Sequence, residues 1–222
     1  MPAMERRFHG WPERAYEVLL QLSGEPSPET RERVRRDREV QVRQPMIDLF
    51  NDLADLDLRY EDFAVWRYAS TAYWWQNQSG IVRIARNVEI GFRFNLYALR
   101  IRAAWWYGDA EQIAAFRAAV ASEESGRSLA DVVSSLARDG YEIRGDVMKR
   151  IPRGYSPDHP RADLLKYRSL TAACELDSDG LRDVEPVYRA CERLRPLLGW
   201  LAEHTVVRPE DAEVAAGHES RL

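Results

Sequence analysis

The stretch from residue 80 to residue 106 most constrains the fold, because its apolar residues recur with a period of two. Three segments follow one another here with only short interruptions: GIVRIAR, NVEIGFRFN and YALRIRAAWW. This pattern predicts three successive antiparallel strands joined by short turns. In the middle segment Ile90 and Phe92 would share one face, and Gly91 and Arg93 the other. The apolar face of such a sheet needs a cover of helices.

Helical patterns flank the strands on both sides. Residues 11–23 carry an apolar stripe at helical spacing, and Ser27 followed by Pro28 predicts the start of a second helix. Asp109 predicts the cap of a helix after the strands, and an apolar repeat over residues 184–201 predicts the last helix. The strands are therefore expected to pack against helices from both ends of the chain.

The length allows one domain with a well-buried core, since the chain has 222 residues. We predict a single α+β domain over residues 1–207, in which an antiparallel sheet of about five or six strands packs with helices. Residues 208–222 are polar and are expected to form a disordered C-terminal tail.

The composition excludes several functional classes. A net charge of −4 argues against a nucleic-acid partner, and no apolar run is long enough to span a membrane. Cys174 and Cys191 lack CxxC spacing, which favours reduced thiols in a cytoplasmic protein. Nucleotide-binding loops and zinc-binding spacings are also missing from the sequence, so we expect neither a cofactor nor a metal.

A charged run over residues 29–39 allows two interpretations. Its arginines could form a phosphate-binding face, but acidic residues alternate with them and favour a solvated helix face. Pro45 is expected to divide this helix from the next one.

The segment IPRGYSPDHPRADLLKYRSL, residues 151–170, resembles the most recognisable part of a bacterial family known as domain of unknown function 2461. Three further segments resemble the N-terminal, mid-chain and C-terminal helices of that family: FHGWPERAYEVLLQL, YGDAEQIAAFRAAV and RLRPLLGWL. The resemblance extends over residues 8–205. It implies an α+β domain and carries no activity with it.

The chain departs from this family in one informative place. Family members typically carry an Arg-Asp segment followed by a basic run, and the corresponding stretch here is RYASTAYWWQNQ over residues 67–78. Arg67 is retained, whereas Tyr68 replaces an expected Asp, and Tyr73 and Trp75 stand near expected lysines. A run of three glycines in the family corresponds to residues 102–104 here. We interpret the chain as a divergent member with a changed function.

Two pairs of adjacent tryptophans suggest a ligand site. If Trp74 and Trp75 lie in a strand, they face opposite sides, and the same holds for Trp105 and Trp106. One of each pair would then line the sheet face that carries the arginines. Either helices cover both faces, or the indoles and guanidinium groups bind an amphipathic ligand with an anionic or polar end. The arginines could also form an ordinary solvated face. The predicted substrate-binding residues are Arg67, Trp74, Trp75, Gln78, Arg93, Arg100, Arg102, Trp106 and Tyr155.

The candidate catalytic residues are hydrogen-bonding side chains. Tyr73, Gln76 and Asn77 could donate protons or hydrogen bonds at the aromatic site. His159 allows two interpretations, since it could act as a general acid or base, or cap the helix expected to begin at Pro160.

These residues favour a cofactor-independent enzyme of the cyclisation or isomerisation type. Its substrate would be a hydrophobic or amphipathic metabolite of bacterial specialised metabolism. The alternative is a non-enzymatic binding or protein-interaction module that uses an aromatic sheet face, including one that forms a homodimer.

Overall fold

The computed structural model describes residues 7–67, 75–178 and 180–205. Helices precede the sheet in the chain. They are α1 (Glu13–Gln21), α2 (Pro28–Arg38), a π-helical turn (Glu39–Arg43), α3 (Gln44–Leu56) and a 3-10 turn (Leu58–Tyr60). Later helices are α4 (Ala110–Ala121), α5 (Glu123–Arg138), α6 (Ala162–Leu165) and α7 (Glu185–Thr205).

The sheet that these residues form has six strands. They are β1 (Phe63–Val65), β2 (Gln78–Ala85), β3 (Val88–Phe94), β4 (Ala98–Trp105), β5 (Glu142–Arg144) and β6 (Leu170–Asp177). The strand order is β1-β2-β3-β4-β6-β5, and the sheet is antiparallel. The structure confirms the predicted α+β class and the three successive strands over the alternating segments. The tail over residues 208–222 and the domain boundary at residue 207 lie outside the described residues.

The predicted helix caps are confirmed. The side chain of Ser27 accepts a hydrogen bond from the backbone N–H of Thr30, at 3.2 Å. Asp109 accepts one from the N–H of Gln112, at 2.8 Å. Pro45 lies in the first turn of a second helix, as expected, but a π-helical turn and not a loop joins α2 to α3. Proline is tolerated there because it occupies the first turn of α3, where its missing N–H costs little.

Contacts within the chain divide it into two compact units. Unit 1 comprises Met1–Ile84, Glu89–Arg102 and Ala173–Arg193, and unit 2 comprises Ala85–Val88, Ala103–Ala172 and Leu194–Leu222. In unit 1, Trp11 stacks on Phe94 with ring centroids 3.9 Å apart, and Phe50 meets Phe92 edge-on at 4.8 Å. The apolar face of β3 is therefore covered by α3 and by Trp11, which lies two residues before α1.

Unit 2 has an aromatic core of its own. Trp105 at the end of β4 stacks on Phe116 of α4, with ring centroids 4.8 Å apart. Trp200 of α7 meets Phe116 edge-on at 5.7 Å, and its indole N–H donates to the carbonyl oxygen of Ser125 at 2.8 Å. These contacts fix α4 and α5 against the strand end.

Candidate functional site

Three arginines lie on the face of β3 and β4 that points away from the apolar core: Arg93, Arg100 and Arg102. A two-residue turn joins the strands, and the N–H of Asn95 donates to the carbonyl oxygen of Ala98 at 3.1 Å. Antiparallel pairing proceeds from this bond along both strands, so Arg93 lies directly opposite Arg100. The Cα atoms of such a pair are about 5.5 Å apart. Two positive charges thus face each other across adjacent strands.

The arginines differ in their partners. Arg100 donates from Nη1 to Oε1 of Glu175 on β6, at 3.0 Å. The guanidinium of Arg102 lies above Gly91, which has no side chain to displace it. Arg93 is half-buried and its Nε is shielded from solvent, yet it makes neither a hydrogen bond nor an ion pair within the part of the chain that the structure describes. Arg93 is the arginine of this face that most needs an anion.

Apolar side chains share the arginine face. Ile81 alternates with Gly80 and Val82, both of which point into the core, so Ile81 points to the side of the arginines. Ala98 shares that side with Arg100, and both Ile81 and Ala98 are half-buried. The face therefore combines guanidinium groups with aliphatic side chains.

A second cluster surrounds Arg38, which is only 1% exposed. Its guanidinium donates to the carbonyl oxygen of Asn77 at 2.7 Å, to Oε1 of Gln78 at 3.0 Å and to the carbonyl oxygen of Trp75 at 3.4 Å. Arg38 therefore fixes the chain just before β2. The predicted solvated face on this helix is wrong for Arg38, because α2 packs on residues 75–78.

The side-chain amide of Gln78 forms hydrogen bonds with the side chain of Arg38 and with backbone carbonyl groups. Besides accepting from Arg38, its amide nitrogen donates to the carbonyl oxygens of Trp66 at 2.8 Å and Ser79 at 3.1 Å. It is 1% exposed and shares a strand face with Gly80, which points to Phe50 of α3. The structure thus places Gln78 on the helix-covered face, away from the three arginines.

Trp75 and Gln76 are helical, and β2 begins only at Gln78. The expectation that strand alternation orients Trp75 is therefore wrong. The guanidinium of Arg31 covers the Trp75 ring at 4.3 Å from its centroid. Gln76 donates from Nε2 to the carbonyl oxygen of Gly24 at 3.2 Å. Two predicted site residues, Tyr73 and Trp74, lie outside the described residues, as does Tyr68.

In the second tryptophan pair, the first residue lies in the core, as expected. Trp105 is fully buried. Trp106 follows the end of β4 and is half-buried, with its ring 6.3 Å from that of the exposed Tyr107. Both tryptophans belong to unit 2, whereas Arg93, Arg100 and Arg102 belong to unit 1.

His159 has a local structural role. Its Nδ1 accepts a hydrogen bond from the backbone N–H of Arg161, at 3.0 Å, and its carbonyl oxygen accepts from Ala162 at 2.9 Å. These bonds stabilise the turn that leads into α6. The helix begins at Ala162 and not at Pro160, and its cap residue is Arg161, which has no side-chain cap hydrogen bond, so His159 is not the cap. The imidazole also borders a groove of about 320 Å³ against α5. Tyr155 is half-buried in the same loop region.

Arg161 joins this loop to the corner between α4 and α5. Its guanidinium donates to the carbonyl oxygens of Val120 at 2.8 Å, Ser122 at 3.1 Å and Ala121 at 3.2 Å. Its side chain is only 9% exposed. Carbonyl groups at a helix C-terminus lack partners within the helix, and a guanidinium with several donors satisfies them. The most recognisable segment of the sequence therefore contains a structural clamp.

A comparison with protein families identifies the family of this chain. The model of the conserved hypothetical protein family DUF2461 matches residues 57–200. The chain belongs to the DUF2461 family. Neither a curated protein nor a solved structure matches it. The DUF2461 match includes the sheet, Arg93 and Arg161, whereas α1 and α2 with Arg31 and Arg38 precede it.

Arg67 lies in unit 1 and is exposed. It borders an open groove of about 580 Å³, whose other lining residues are Glu32, Arg35, Arg36 and Glu39. Glu32 pairs with Arg35 at 3.5 Å. The lining residues of this groove that the structure describes are therefore of mixed charge.

Two titratable groups in unit 1 are held neutral. Burial raises the pKa of Tyr60, whose hydroxyl donates to Oε1 of Glu192 at 3.0 Å. Burial likewise raises the pKa of the Cys191 thiol. Because a thiol reacts as its thiolate, Cys191 is unsuited to nucleophilic catalysis at neutral pH.

Two further observations concern the described ranges 7–67, 75–178 and 180–205. Within them, no cluster of three or more His, Cys, Asp or Glu side chains is placed to hold a metal ion. No helix among them has the length and apolar character needed to cross a membrane.

Proposed function

We propose that this DUF2461 protein binds an amphipathic small molecule through an anionic group on the open face of β3 and β4. The observation that carries the proposal is the environment of Arg93. A half-buried guanidinium without a hydrogen-bond or ion-pair partner in the described residues is unusual, because desolvating a charge is costly unless an anion compensates it.

The position of Arg100 strengthens this argument. Like charges directly opposite each other on paired strands destabilise a sheet. Glu175 neutralises Arg100, but its own side chain is 55% exposed and engaged with that one arginine. A ligand carboxylate, sulfonate or phosphate would compensate Arg93 with forked hydrogen bonds. Local features that lower stability, such as two like charges facing each other, are expected at binding sites.

Ile81 and Ala98 supply the apolar part of the proposed site. They are half-buried on the same face as Arg93. A ligand with an apolar body and one anionic end would cover this surface while its anionic end reaches the guanidinium. The ligand class is therefore the one expected from the sequence, although the contacting residues are strand residues and not Gln78.

A fluorescent probe of this class tests the proposal. Anilinonaphthalene sulfonate has an apolar body and one anionic group, and it fluoresces when desolvated. We expect the folded protein to bind it, and Arg93→Met to weaken the affinity by about tenfold, since a charge-assisted hydrogen bond contributes about 1.5–3 kcal/mol. Methionine preserves most of the packing of the arginine stem.

Arg83→Met is the matched control, because Arg83 lies on the same face of β2 and pairs with Asp62 at 2.9 Å. Its affinity for the probe should equal that of the wild type. Circular dichroism melts of both variants verify that they are folded. Unchanged affinity in a folded Arg93→Met variant would falsify the proposal.

Cofactor-independent cyclisation or isomerisation is a further step that rests on this binding. Both reactions conserve mass, so a bacterial metabolite extract incubated with the protein should lose one compound and gain an isomer of the same mass. The Arg93→Met variant should not make this conversion. A product of changed mass would argue against both reaction types.

A protein-interaction role is the second candidate, and Tyr107 favours it. This residue is 89% exposed and has a left-handed φ of 54°, which is costly for an aromatic side chain. Asn87 holds it there by donating from Nδ2 to its carbonyl oxygen at 3.1 Å. If a second copy of the chain covers Tyr107, sedimentation should show a dimer that Tyr107→Ser converts to a monomer. A wild type that sediments as a monomer excludes the homodimer.

A further inference from the structure

A loop between β5 and α6 presents a cluster of cations in unit 2. We define the basic loop as residues 148–155, with the charged side chains Lys149, Arg150 and Arg153, all exposed. Its backbone is anchored at the start, since the N–H of Met148 donates to the carbonyl oxygen of Lys166 at 2.9 Å. Pro152 is buried in the middle of it. The cations therefore project from a fixed backbone.

Acidic residues near the basic loop are occupied elsewhere. They form these ion pairs: Glu142 with Arg144, Asp146 with Arg168, and Asp163 with Lys166. In the described residues none of Lys149, Arg150 and Arg153 forms an ion pair or a hydrogen bond through its side chain. Asp158 is the remaining acid of this region. The loop is thus a local positive patch on a chain whose net charge is −4.

Arg117 of α4 adds a fourth cation at the base of the basic loop. Its Nη2 lies 2.9 Å from the sulfur of Met148, and its Nε is buried without a hydrogen-bond partner. A thioether is a weak acceptor and carries no charge. A half-buried guanidinium in contact with sulfur, and with no carboxylate among the described residues, has unused capacity for an anion.

We propose that the basic loop and Arg117 bind a phosphorylated small molecule. Four cations and one acidic residue leave more positive charge than a single ligand carboxylate would neutralise. A phosphate group fits better, because it carries up to two negative charges and three acceptor oxygens. A compact anion would meet only this patch. A long polyanion such as a nucleic acid would also meet the acidic remainder of the chain, which repels it. This site is separate from Arg93, which belongs to unit 1.

Inorganic pyrophosphate is the probe, and calorimetric titration of the full chain is the measurement. We expect the wild type to bind it, and Arg150→Ala with Arg153→Ala to weaken its affinity by about tenfold or more. The affinity of the wild type should also fall with added salt. Arg117→Met should weaken binding without changing the exposed loop.

Arg33→Ala with Arg36→Ala is the matched control, since these arginines of α2 are also exposed and form no ion pair in the described part of the chain. Removing the same charge there should leave the affinity within about twofold, because only screened, long-range attraction is lost. Arg93→Met should likewise bind pyrophosphate as the wild type does. Binding that survives the loop substitutions, or falls equally in the α2 control, overturns the proposal. So does a wild type that does not bind pyrophosphate, or that binds oligothymidylate more tightly.

Discussion

The guanidinium of Arg31 lies 4.3 Å from the centre of the Trp75 ring and covers one face of it. Arg31 is the fourth residue of α2, and the family resemblance of the sequence implies a lysine near the position of Trp75. The aromatic residue therefore has a packing partner that a lysine at this position would repel. This pair ties α2 to the segment that precedes β2.

Loss of this pair should lower the stability measurably. We expect Arg31→Met to reduce the free energy of unfolding by about 1 kcal/mol, the usual magnitude of a partly desolvated cation–π contact. Arg33→Met, on the exposed side of the same helix, should change it by less than about 0.5 kcal/mol. Urea unfolding followed by circular dichroism provides both values. Equal effects of the two substitutions would show that the contact contributes nothing.

Arg38 should be far more sensitive to substitution. Arg38→Met leaves three buried acceptors around residues 75–78 without their donor, each worth about 1 kcal/mol or more, so we expect a loss of about 3 kcal/mol. Arg38→Lys should recover little of it, because an ammonium cannot reproduce the planar fork. Thermal melts of both variants provide the test. Recovery with lysine would mean that charge alone, and not the fork, stabilises this segment.

Sequence alone predicted the parts of this fold that depend on near neighbours. Alternation revealed β2, β3 and β4, and single residues such as Ser27 and Asp109 marked the helix starts, because a cap acts within one turn. It also placed Arg93 on the outer face of β3.

Sequence did not reveal contacts that join distant segments. Arg38 and Gln78 are 40 residues apart, Arg161 and Val120 are 41 apart, and Arg100 and Glu175 are 75 apart. The charge pattern of α2 indicated solvent, yet tertiary packing buries Arg38. Whether Arg93 has a partner likewise depends on where Glu175 of another strand is placed. The residue types on the arginine-bearing face of β3 and β4 therefore follow from the periodicity of the sequence. Which of these residues forms an ion pair with another strand does not.

The corner between α4 and α5 should tolerate no side chain at Gly126. A Cβ there would meet the carbonyl oxygen of Val120 and Nε of Arg161 well inside van der Waals contact. We expect Gly126→Ala to cost about 3 kcal/mol, since a backbone oxygen and a buried clamp cannot both move away. The matched control is Gly199→Ala in α7, where the added Cβ meets nothing within 4 Å. This control should raise stability by about 0.5–1 kcal/mol through helix propensity. A tolerated Gly126→Ala would mean that the corner is pliable.

His159 provides a test that separates a structural role in the turn before α6 from catalysis. Asparagine can accept the N–H two residues ahead of it, as Nδ1 of His159 does from Arg161, but it cannot transfer a proton at neutral pH. We expect the free energy of unfolding of His159→Asn to lie within about 0.5 kcal/mol of the wild-type value. That of His159→Ala should be lower by about 1 kcal/mol. If a turnover is found, a catalytic His159 would lose it in both variants. Full activity in the Asn variant would confirm that the residue has only a structural role.

The buried thiol of Cys191 should make the protein sensitive to alkali. Burial raises its pKa in the folded state, whereas in the unfolded chain a thiol ionises near pH 8.5. The buried neutral thiol therefore contributes fully to the free energy of unfolding below about pH 8.5. This contribution is lost as the pH rises above that value, by about 2 kcal/mol at pH 10.

Urea unfolding of the wild type and Cys191→Ala between about pH 7 and pH 10, with a reductant present, measures this loss. We expect the stability of the alanine variant to fall less steeply, because it has no thiol to ionise in the unfolded chain. Tyr60→Phe is the control, since burial also raises the pKa of this neighbouring hydroxyl. Its effect should appear only above about pH 10, where an unfolded tyrosine ionises. Parallel pH curves for the wild type and the Cys191→Ala variant would contradict the assignment.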